Sequence, residues 1–541
     1  MLVYGDSEHE VCCADLLAEL RRDEGKPLDH DALRDRFVAL AGLAQGVADA
    51  DFSAIGQDRQ RLGEQALLKA LQALGAVLLQ SWDEGCRGGT APSLPHVGSL
   101  PTRVMVREAE GYTHYALYPE AYGLAARQLK LRAAPLVIGL RSIGGGLAAM
   151  AAAALGAPPP ISLRPGGDPF ARSLAIHPEL ANHLLEAERQ FVIVDEGPGL
   201  SGSSFGCVAD WLEDHGVAPD RIAFLPGHSG PLGPQASQRH RERWAGAERP
   251  VVQPDRLGEW IADLLGPIDS WTDMSAGRWR PLCYAAEDQW PAAVTAWERM
   301  KYLVGARGAK WMVRFAGLGA AGWEKVALAR LLAERGFGPE IGGLTHGWLA
   351  LRWHDDAEPG IPTPRELQAY VELRSELPAH QGASLAELVT MARRNCPELI
   401  GWDPPLEGLQ AQVSPVLTDG RLLRHEWLRL PNGRLLKADA FDHHRGHDLV
   451  GAQDIAWDQA GAAIEIGIAL SITKPELEAF YRVAYCAFQI GAHELGKSMS
   501  PLNEQPRLEA ALTRYRSALV DAIEHLRDVD QSLGRGIEAL A

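Results

Sequence analysis

The segment 190-QFVIVDEGPGLSGSSFG-206 joins an apolar run, two adjacent acids and a loop of small residues. The apolar residues 191–194 predict a short strand buried inside a sheet. Asp195 and Glu196 follow directly, at the point where this strand ends. The glycines and serines after them, with the positive end of the next helix, predict a loop that binds one phosphate group. Because carboxylates suit neighbouring diol hydroxyls or a hydrated Mg²⁺, the pattern favours a sugar phosphate as ligand.

The sequence on both sides of this segment alternates between short apolar runs and helical stretches. The runs 134-APLVIGLRS-142 and 221-RIAFLPG-227 predict strands, and 146–156 and 203–216 predict helices. This alternation is typical of parallel βαβ units in an open α/β sheet. Such sheets bind ligands at the carboxyl ends of their strands, which is where the acid pair stands.

The stretch 191-FVIVDEGPGLSGSS-204 resembles the phosphoribosyl diphosphate (PRPP) signature of type I phosphoribosyltransferases. The resemblance implies that Asp195 and Glu196 hold the ribose hydroxyls. It also implies that the loop binds the 5-phosphate through Gly199, Leu200, Ser201, Gly202, Ser203 and Ser204. Three features depart from the family pattern. The second acid is Glu rather than Asp, and the loop has serines where threonines are usual. Gly199 stands where purine-salvage members place an Asp that acts as a base. A purine acceptor handled in that way is therefore not expected.

Two further segments extend the resemblance to the same family. The stretch 138-IGLRSIGGGLAAM-150 is similar to its diphosphate loop, which implies that Arg141 and Ser142 contact the diphosphate and its Mg²⁺. The segment 163-LRPGGDPFARSL-174 lies where the family carries a mobile loop over the reacting centre, with Arg164 and Arg172 as candidate contacts.

Other interpretations of the same residues remain open. The letters 197-GPGLSG-202 also match the GxGxxG pattern of dinucleotide-binding loops, although a lone match is weak. The segment could equally be a glycine-rich turn between a strand and a helix, with two solvated acids. Arg141, taken alone, could be an ordinary surface residue.

The second half of the chain has a different pattern. Residues 302–319 predict a hairpin, 322–336 a helix and 346–353 a strand, and Asp439 follows a further strand. This order resembles the aminoglycoside phosphotransferase and choline-kinase-like family. The resemblance implies that Arg314 meets nucleotide phosphates, that Glu324 pairs with it, and that Asp439 binds Mg²⁺ in an ATP site. It also implies that Asp454 is a structural acid behind the catalytic segment.

The catalytic loop of that family reads His-Gly-Asp, and its Asp orients the acceptor hydroxyl. The segment 425-HEWLRLPNGRLLKAD-439 places Trp427 at that Asp, and Trp cannot accept a proton. Either this half no longer transfers phosphate, or another acid such as Glu426 substitutes. The stretch 443-HHRGH-447 is expected to be a solvated polar loop rather than a metal site.

Length and composition set the frame for these motifs. A chain of 541 residues with 46% apolar and 23% charged residues predicts a multidomain globular protein. The net charge of -17 argues against nucleic-acid partners. We expect no membrane span and no signal peptide, and a reducing cytoplasmic location for the seven scattered cysteines.

The predicted fold class is α/β, in three regions. These are a helical N-terminal region (1–100), a phosphoribosyltransferase-like parallel-sheet domain (101–265), and a kinase-like α+β domain with a helical C-terminus (290–541). The N-terminal helices are expected either to cap the sheet or to form a homodimer interface.

The function expected first is Mg²⁺-dependent phosphoribosyl transfer from PRPP to a small-molecule acceptor, with release of diphosphate. The alternatives are an ATP-dependent small-molecule kinase and a non-catalytic regulator that senses PRPP or a nucleotide.

Overall fold

The computed structural model describes residues 8–532 except 187, 200, 296, 447 and 472. The chain divides into two compact units. The first unit comprises residues 8–260 with 317–323, and the second comprises 261–316 with the residues from 324 onward. The helical region predicted for 1–100 thus shares one unit with the region predicted to carry the parallel sheet.

The first unit contains both parallel and antiparallel strands. Its strands are β1 (Glu8–Cys12), β2 (Pro27–Leu28), β3 (Gly89–Thr90), β4 (Arg103–Arg107), β5 (Pro135–Leu140), β6 (Ile161–Leu163), β7 (Gly166–Asp168), β8 (Ala171–Ser173), β9 (Gln190–Val194) and β10 (Ile222–Leu225). Its helices are α1 (Cys13–Arg21), α2 (His30–Ile55), α3 (Leu62–Asp83), α4 (Glu110–His114), α5 (Pro119–Ala126), α6 (Gly144–Leu155), α7 (Pro178–Leu185), α8 (Ser203–Asp214), α9 (Gln238–Gly246) and α10 (Leu257–Leu265), the last of which runs into the second unit.

A parallel sheet with the strand order β6–β5–β9–β10 forms the centre of the first unit. Ile193 of β9 is in register with Ile138 on one side and with Phe224 on the other. All five residues of β9 are buried, as expected for a strand covered on both faces. The prediction of a parallel α/β sheet from the apolar runs is confirmed, with strand ends within a few residues of those expected.

The two long N-terminal helices, α2 and α3, pack through apolar faces on the same unit. Their buried side chains, such as Phe37 and Leu74, share a core with Ala149 and Met150 of α6. By length and composition alone, both helices could also cross a membrane. Core helices pass the same test, and about half of each apolar window is buried inside the protein.

The second unit combines an antiparallel sheet with a largely helical part. Its strands are β11 (Ile268–Asp273), β12 (Lys301–Ala306), β13 (Ala309–Phe315), β14 (Ile341–Thr345), β15 (Trp348–Arg352), β16 (Glu358–Pro359), β17 (Pro415–Val416), β18 (Trp427–Arg429), β19 (Leu435–Lys437) and β20 (Gln453–Asp454). Its helices are α11 (Arg280–Cys283), α12 (Gly319–Glu334), whose first residues belong to the first unit, α13 (Pro364–Ser375), α14 (Leu385–Asn395), α15 (Leu406–Gln410), α16 (Ala456–Gly461), α17 (Pro475–Met499) and α18 (Gln505–Ser532).

The sheet of this unit has the order β11–β12–β13–β15–β14, and its neighbouring strands are antiparallel. The hairpin, helix and strand predicted between 302 and 353 are present as β12–β13, α12 and β15. A second hairpin, β18–β19, follows further along the chain, and Asp439 comes two residues after it. The mixed α/β class and the helical C-terminal region are therefore confirmed.

Candidate functional site

The acid pair of the first unit lies at the carboxyl end of β9, as predicted. The main chain fixes Asp195, because its N–H donates to the Leu225 carbonyl (3.2 Å) and its carbonyl accepts from the Tyr122 hydroxyl (3.1 Å). Burial raises the pKa of the Asp195 carboxyl to about 7, against a smaller opposing effect of Arg172. The Glu196 carboxylate accepts a hydrogen bond from the Gly111 N–H (2.9 Å). Both acids are only partly accessible.

The small-residue loop after these acids bends into α8 through Gly202, whose φ of 63° is in the left-handed region that favours glycine. The hydroxyls of Ser201 and Ser203 are both buried, and both donate to the Pro169 carbonyl, at 3.2 and 2.8 Å. Pro169 lies at the tip of the β7–β8 hairpin. Two hydroxyl donors predicted for a phosphate are thus engaged by the chain itself.

The remaining loop positions differ in exposure. Gly199 is exposed and Ser204 is partly buried, while Leu200 lies outside the described residues. The structure therefore brings the loop, the acid pair and the hairpin together, but two of the predicted phosphate donors already have partners.

The guanidinium of Arg141, in the predicted diphosphate loop, is paired with acids of the same unit. Its side chain is 2% exposed and forms ion pairs with Asp58 and with Asp49, the latter at 2.9 Å. It also donates to the Ser162 hydroxyl (2.8 Å). Arg141 is therefore part of a buried ion cluster rather than a surface residue, and its contact with a diphosphate stays a prediction.

The other basic residues expected around PRPP are also engaged. The Arg164 N–H donates to Asp58 (2.7 Å), and its guanidinium lies 3.4 Å from Asp49. Arg172 donates to the Pro165 carbonyl (3.1 Å). Ser142 is partly buried and follows Arg141 through a cis peptide bond. The three arginines predicted to bind PRPP, Arg141, Arg164 and Arg172, thus all have partners within the chain.

A denser charged cluster lies in the second unit, where β13 meets the segment after the β18–β19 hairpin. Arg314, near the end of β13, donates to Asp439 (2.5 Å) and to Asp442 (2.7 Å). Its side chain is 7% exposed and that of Asp442 5%, whereas Asp439 is 34% exposed. Asp439 is therefore the acid through which solvent reaches this part of the cluster. The guanidinium of Arg314 lowers the pKa of both carboxyls.

Four more side chains complete the cluster. Asp419 is fully buried, and the Lys437 ammonium lies 3.3 Å from its carboxylate. Lys437 also donates to Glu426 (2.5 Å). The His443 ring nitrogen Nδ1 lies 2.9 Å from the Asp419 carbonyl, and Nε2 lies 3.5 Å from Asp439. His443 is thus buried among acids, rather than in the solvated loop that we expected for this stretch; His447 lies outside the described residues.

The predicted partner of Arg314 is different from the observed one. Glu324, at the start of α12, forms an ion pair with Arg445 instead. Trp427 is fully buried at the start of β18, with its ring 5.2 Å from that of Tyr370, so it is a core residue and not part of a loop. The acid-bearing loop is the preceding segment, 418–426.

The structural role behind this loop, which we expected for Asp454, is filled by Asp458. Asp458 accepts hydrogen bonds from the N–H groups of Asp419 (2.7 Å) and Gly420 (2.9 Å), so its carboxylate fixes the loop backbone. Asp454 instead accepts from the Ser414 N–H (2.8 Å) and pairs with Lys474. Sequence reasoning missed Asp419. The Asp-Gly turn signal at 419–420, directly after an apolar run, could have indicated it.

The cluster fits a Mg²⁺ ion in the chemistry of its donors. Ligand atoms of Asp439, Asp442 and His443 lie within 4.8 Å of one another. The Oδ1 atom of Asp442 is buried and, among the residues described, has no hydrogen-bond partner. Mg²⁺ prefers oxygen ligands, and the neighbouring acids raise the pKa of His443 to about 10, so the carboxylates of Asp439 and Asp442 are the ligands that we would expect.

No family model and no curated protein sequence matches this chain. Among solved structures, a choline kinase from Streptococcus pneumoniae shares 13% identity with a TM-score of 0.32, covering 48% of this chain and 98% of its own. A spectinomycin phosphotransferase, solved with ADP and spectinomycin, shares 12% identity with a TM-score of 0.32, covering 51% and 98%. A choline/ethanolamine kinase family protein from Mesorhizobium loti shares 12% identity with a TM-score of 0.27, covering 42% and 89%.

Proposed function

We propose that the second unit is a phosphotransferase, which moves the γ-phosphoryl group of ATP to a small-molecule acceptor with the help of Mg²⁺. The observation that carries this proposal is that Arg314, near the end of the central strand β13, forms ion pairs with both Asp439 and Asp442. Catalysis of phosphoryl transfer consists mainly of positioning and charge neutralisation. A basic side chain and carboxylates that can hold Mg²⁺ supply both.

The charge distribution supports a site for a nucleotide with its metal. Asp439 is one-third exposed, so a metal–phosphate group can reach its carboxylate from solvent. Asp439 and Asp442 would hold Mg²⁺, which would supply positive charge against the negative charge that develops during phosphoryl transfer. Arg314 holds both acids in place and adds a fixed positive charge beside them.

Phosphoribosyl transfer has weaker support. The acid pair and the small-residue loop are adjacent in the first unit, but Arg141 and Arg164 are paired with Asp49 and Asp58. The hydroxyls that would bind phosphate donate to Pro169. A non-catalytic nucleotide sensor would share the site of the second unit and differ only in lacking turnover.

The test measures the binding of ATP to the full chain with and without Mg²⁺, and the release of ADP in the presence of a panel of small acceptors. We expect Mg²⁺-dependent binding that Asp439→Asn weakens by about tenfold or more, since a metal-binding carboxylate is lost. Asp355→Asn is the matched control, because Asp355 is an acid of the same unit that is 61% exposed.

Three outcomes separate the alternatives. ATP binding that ignores both Mg²⁺ and Asp439→Asn would overturn the proposal. Binding without any transfer would favour the sensor. PRPP binding in the absence of ATP binding would restore the phosphoribosyl interpretation.

A further inference from the structure

The main chain of the loop 418–426 is held at both ends. At one end, the Asp458 carboxylate accepts from the N–H groups of Asp419 and Gly420. At the other end, the Glu426 carbonyl accepts from the N–H of Ala438, the residue before Asp439 (2.7 Å). Arg421 of this loop lowers the pKa of Asp439, after the larger effects of Arg314 and His443.

The two acids of the loop are unavailable to a substrate. Asp419 is 0% exposed and lies against Lys437, and Glu426 is 7% exposed and accepts a hydrogen bond from the same ammonium. A general base has to come within hydrogen-bond reach of the proton that it removes. Neither carboxylate has the exposure that an acceptor hydroxyl would need in order to reach it.

Arg421 is the side chain that the loop offers instead. It is 33% exposed, and its nearest acid, Glu426, lies 3.6 Å away, beyond hydrogen-bond distance. Arg299 lies 3.9 Å from Asp442 and 3.6 Å from Asp448, and it is 18% exposed. Asp448 is also one of the acids that raise the pKa of Arg421, after Glu426 and Asp439, so both guanidiniums are near this carboxylate. Across the described part of the chain, no group accepts a hydrogen bond from either guanidinium. Each guanidinium carries five N–H donors in a planar fork that matches a carboxylate or a phosphate.

We propose that the acceptor of this unit is a small oxyanion, a carboxylate or a phosphate, held by Arg421 together with Arg299. This inference rests on the proposed phosphotransferase function and names its class of substrate. An oxyanion needs no base, because its oxygen is already deprotonated. That oxygen forms a bond to the γ-phosphorus of ATP while the bond from this phosphorus to the β,γ-bridging oxygen breaks. ADP leaves with the electron pair, no proton moves, and the product is an acyl phosphate or a phosphoanhydride.

The test is the binding of inorganic phosphate, and separately of acetate, to the full chain saturated with Mg²⁺ and a non-hydrolysable ATP analogue. The analogue fills the γ-phosphate position, so the anion added has to find the acceptor position. We expect Arg421→Ala to weaken binding of the preferred anion by about 10- to 100-fold, as the loss of charge-assisted hydrogen bonds implies. Arg421→Lys should retain part of the affinity, since it keeps the charge but loses the fork.

Arg424→Ala is the matched control, because Arg424 is an exposed arginine three residues along the same loop. It should leave anion binding unchanged. The affinity for the nucleotide analogue should change less than threefold in Arg421→Ala, which separates an acceptor role from a nucleotide role. Preference for phosphate or for acetate then identifies which oxyanion the site takes.

Two results would overturn the inference and leave the proposed function intact. One is nucleotide binding without any binding of phosphate or acetate. The other is a loss of nucleotide affinity in Arg421→Ala as large as the loss of anion affinity. Failure of the nucleotide analogue itself to bind would instead remove the phosphotransferase proposal on which the inference rests.

Discussion

Replacing Arg314 with Met tests whether the cluster of the second unit is a buried ion network. Removal of one partner of a buried pair typically costs about 3–5 kcal/mol, because the remaining charge is left uncompensated. Asp442 is 5% exposed, so the variant leaves a buried carboxylate without its partner. We take the lower end of that range, about 3 kcal/mol, as the cost of losing this ion pair. Asp439 is 34% exposed, so solvent screens its charge, and loss of the ion pair between Arg314 and Asp439 should cost about 1 kcal/mol or less. We therefore expect Arg314→Met to destabilise this part of the unit by about 3–4 kcal/mol.

The assay is hydrogen–deuterium exchange of peptides from β13 and from the β18–β19 hairpin, because a chain with two units need not unfold in one step. A loss of about 3 kcal/mol corresponds to exchange that is about 100-fold faster. Lys310→Met is the control: Lys310 lies on the same strand, and its ion pair with Asp355 is 46% and 61% exposed. It should cost less than about 1 kcal/mol.

Mg²⁺ provides a second readout of the same variant. Without the guanidinium, the two carboxylates have lost their cation, so added Mg²⁺ should recover part of the lost protection. If Arg314→Met exchanged no faster than Lys310→Met, the idea that Arg314 compensates buried acids would be refuted.

Three further perturbations test other parts of the structure. Asp458→Asn should cost about 2 kcal/mol, because two backbone N–H groups of the loop share one carboxylate, and faster exchange at 418–421 would show it. Burial raises the pKa of the Glu64 carboxyl to about 7. The stabilising contribution of Glu64 is therefore complete below pH 4.5 and is lost as the pH rises to 7. In thermal melts, the difference in stability between wild type and Glu64→Gln should change by about 3 kcal/mol over this range, and a constant difference would contradict the prediction. Ser203→Ala removes one hydroxyl from Pro169 and costs about 1 kcal/mol, so the 166–173 hairpin should be cleaved faster in limited proteolysis, with unchanged cleavage as the contrary result.

The elements that local pattern determines were predictable from the sequence. The apolar run 191–194 lies in β9, and the Gly- and Ser-rich segment after it forms the turn into α8. Both were predictable because burial and turn chemistry act over a few residues. The alternation of such runs with helices was enough to predict the parallel sheet. Asp439 was predicted to follow a strand, and it lies two residues after β19.

The partners of charged residues were not predictable in the same way. Which acid Arg314 meets depends on the rotation of α12 about its axis and on the path of the segment after β19, and no local pattern encodes either. Glu324 pairs with Arg445, 121 residues further along. Trp427 was misplaced for a related reason: without the strand boundary of β18, a core residue could not be told from a loop position. Arg141 entered a buried ion cluster because the acids at 49 and 58 come from the distant N-terminal region.

Asp458 accepts hydrogen bonds from the main-chain N–H groups of Asp419 and Gly420, so this support does not depend on the side chains at the two positions. The Asp419 side chain adds a second support, because its buried carboxylate accepts from the Tyr370 hydroxyl and lies 3.3 Å from the Lys437 ammonium. Evolutionary change in this loop is therefore expected at Arg421, whose guanidinium donates to no group in the described part of the chain, before it is expected at Asp419.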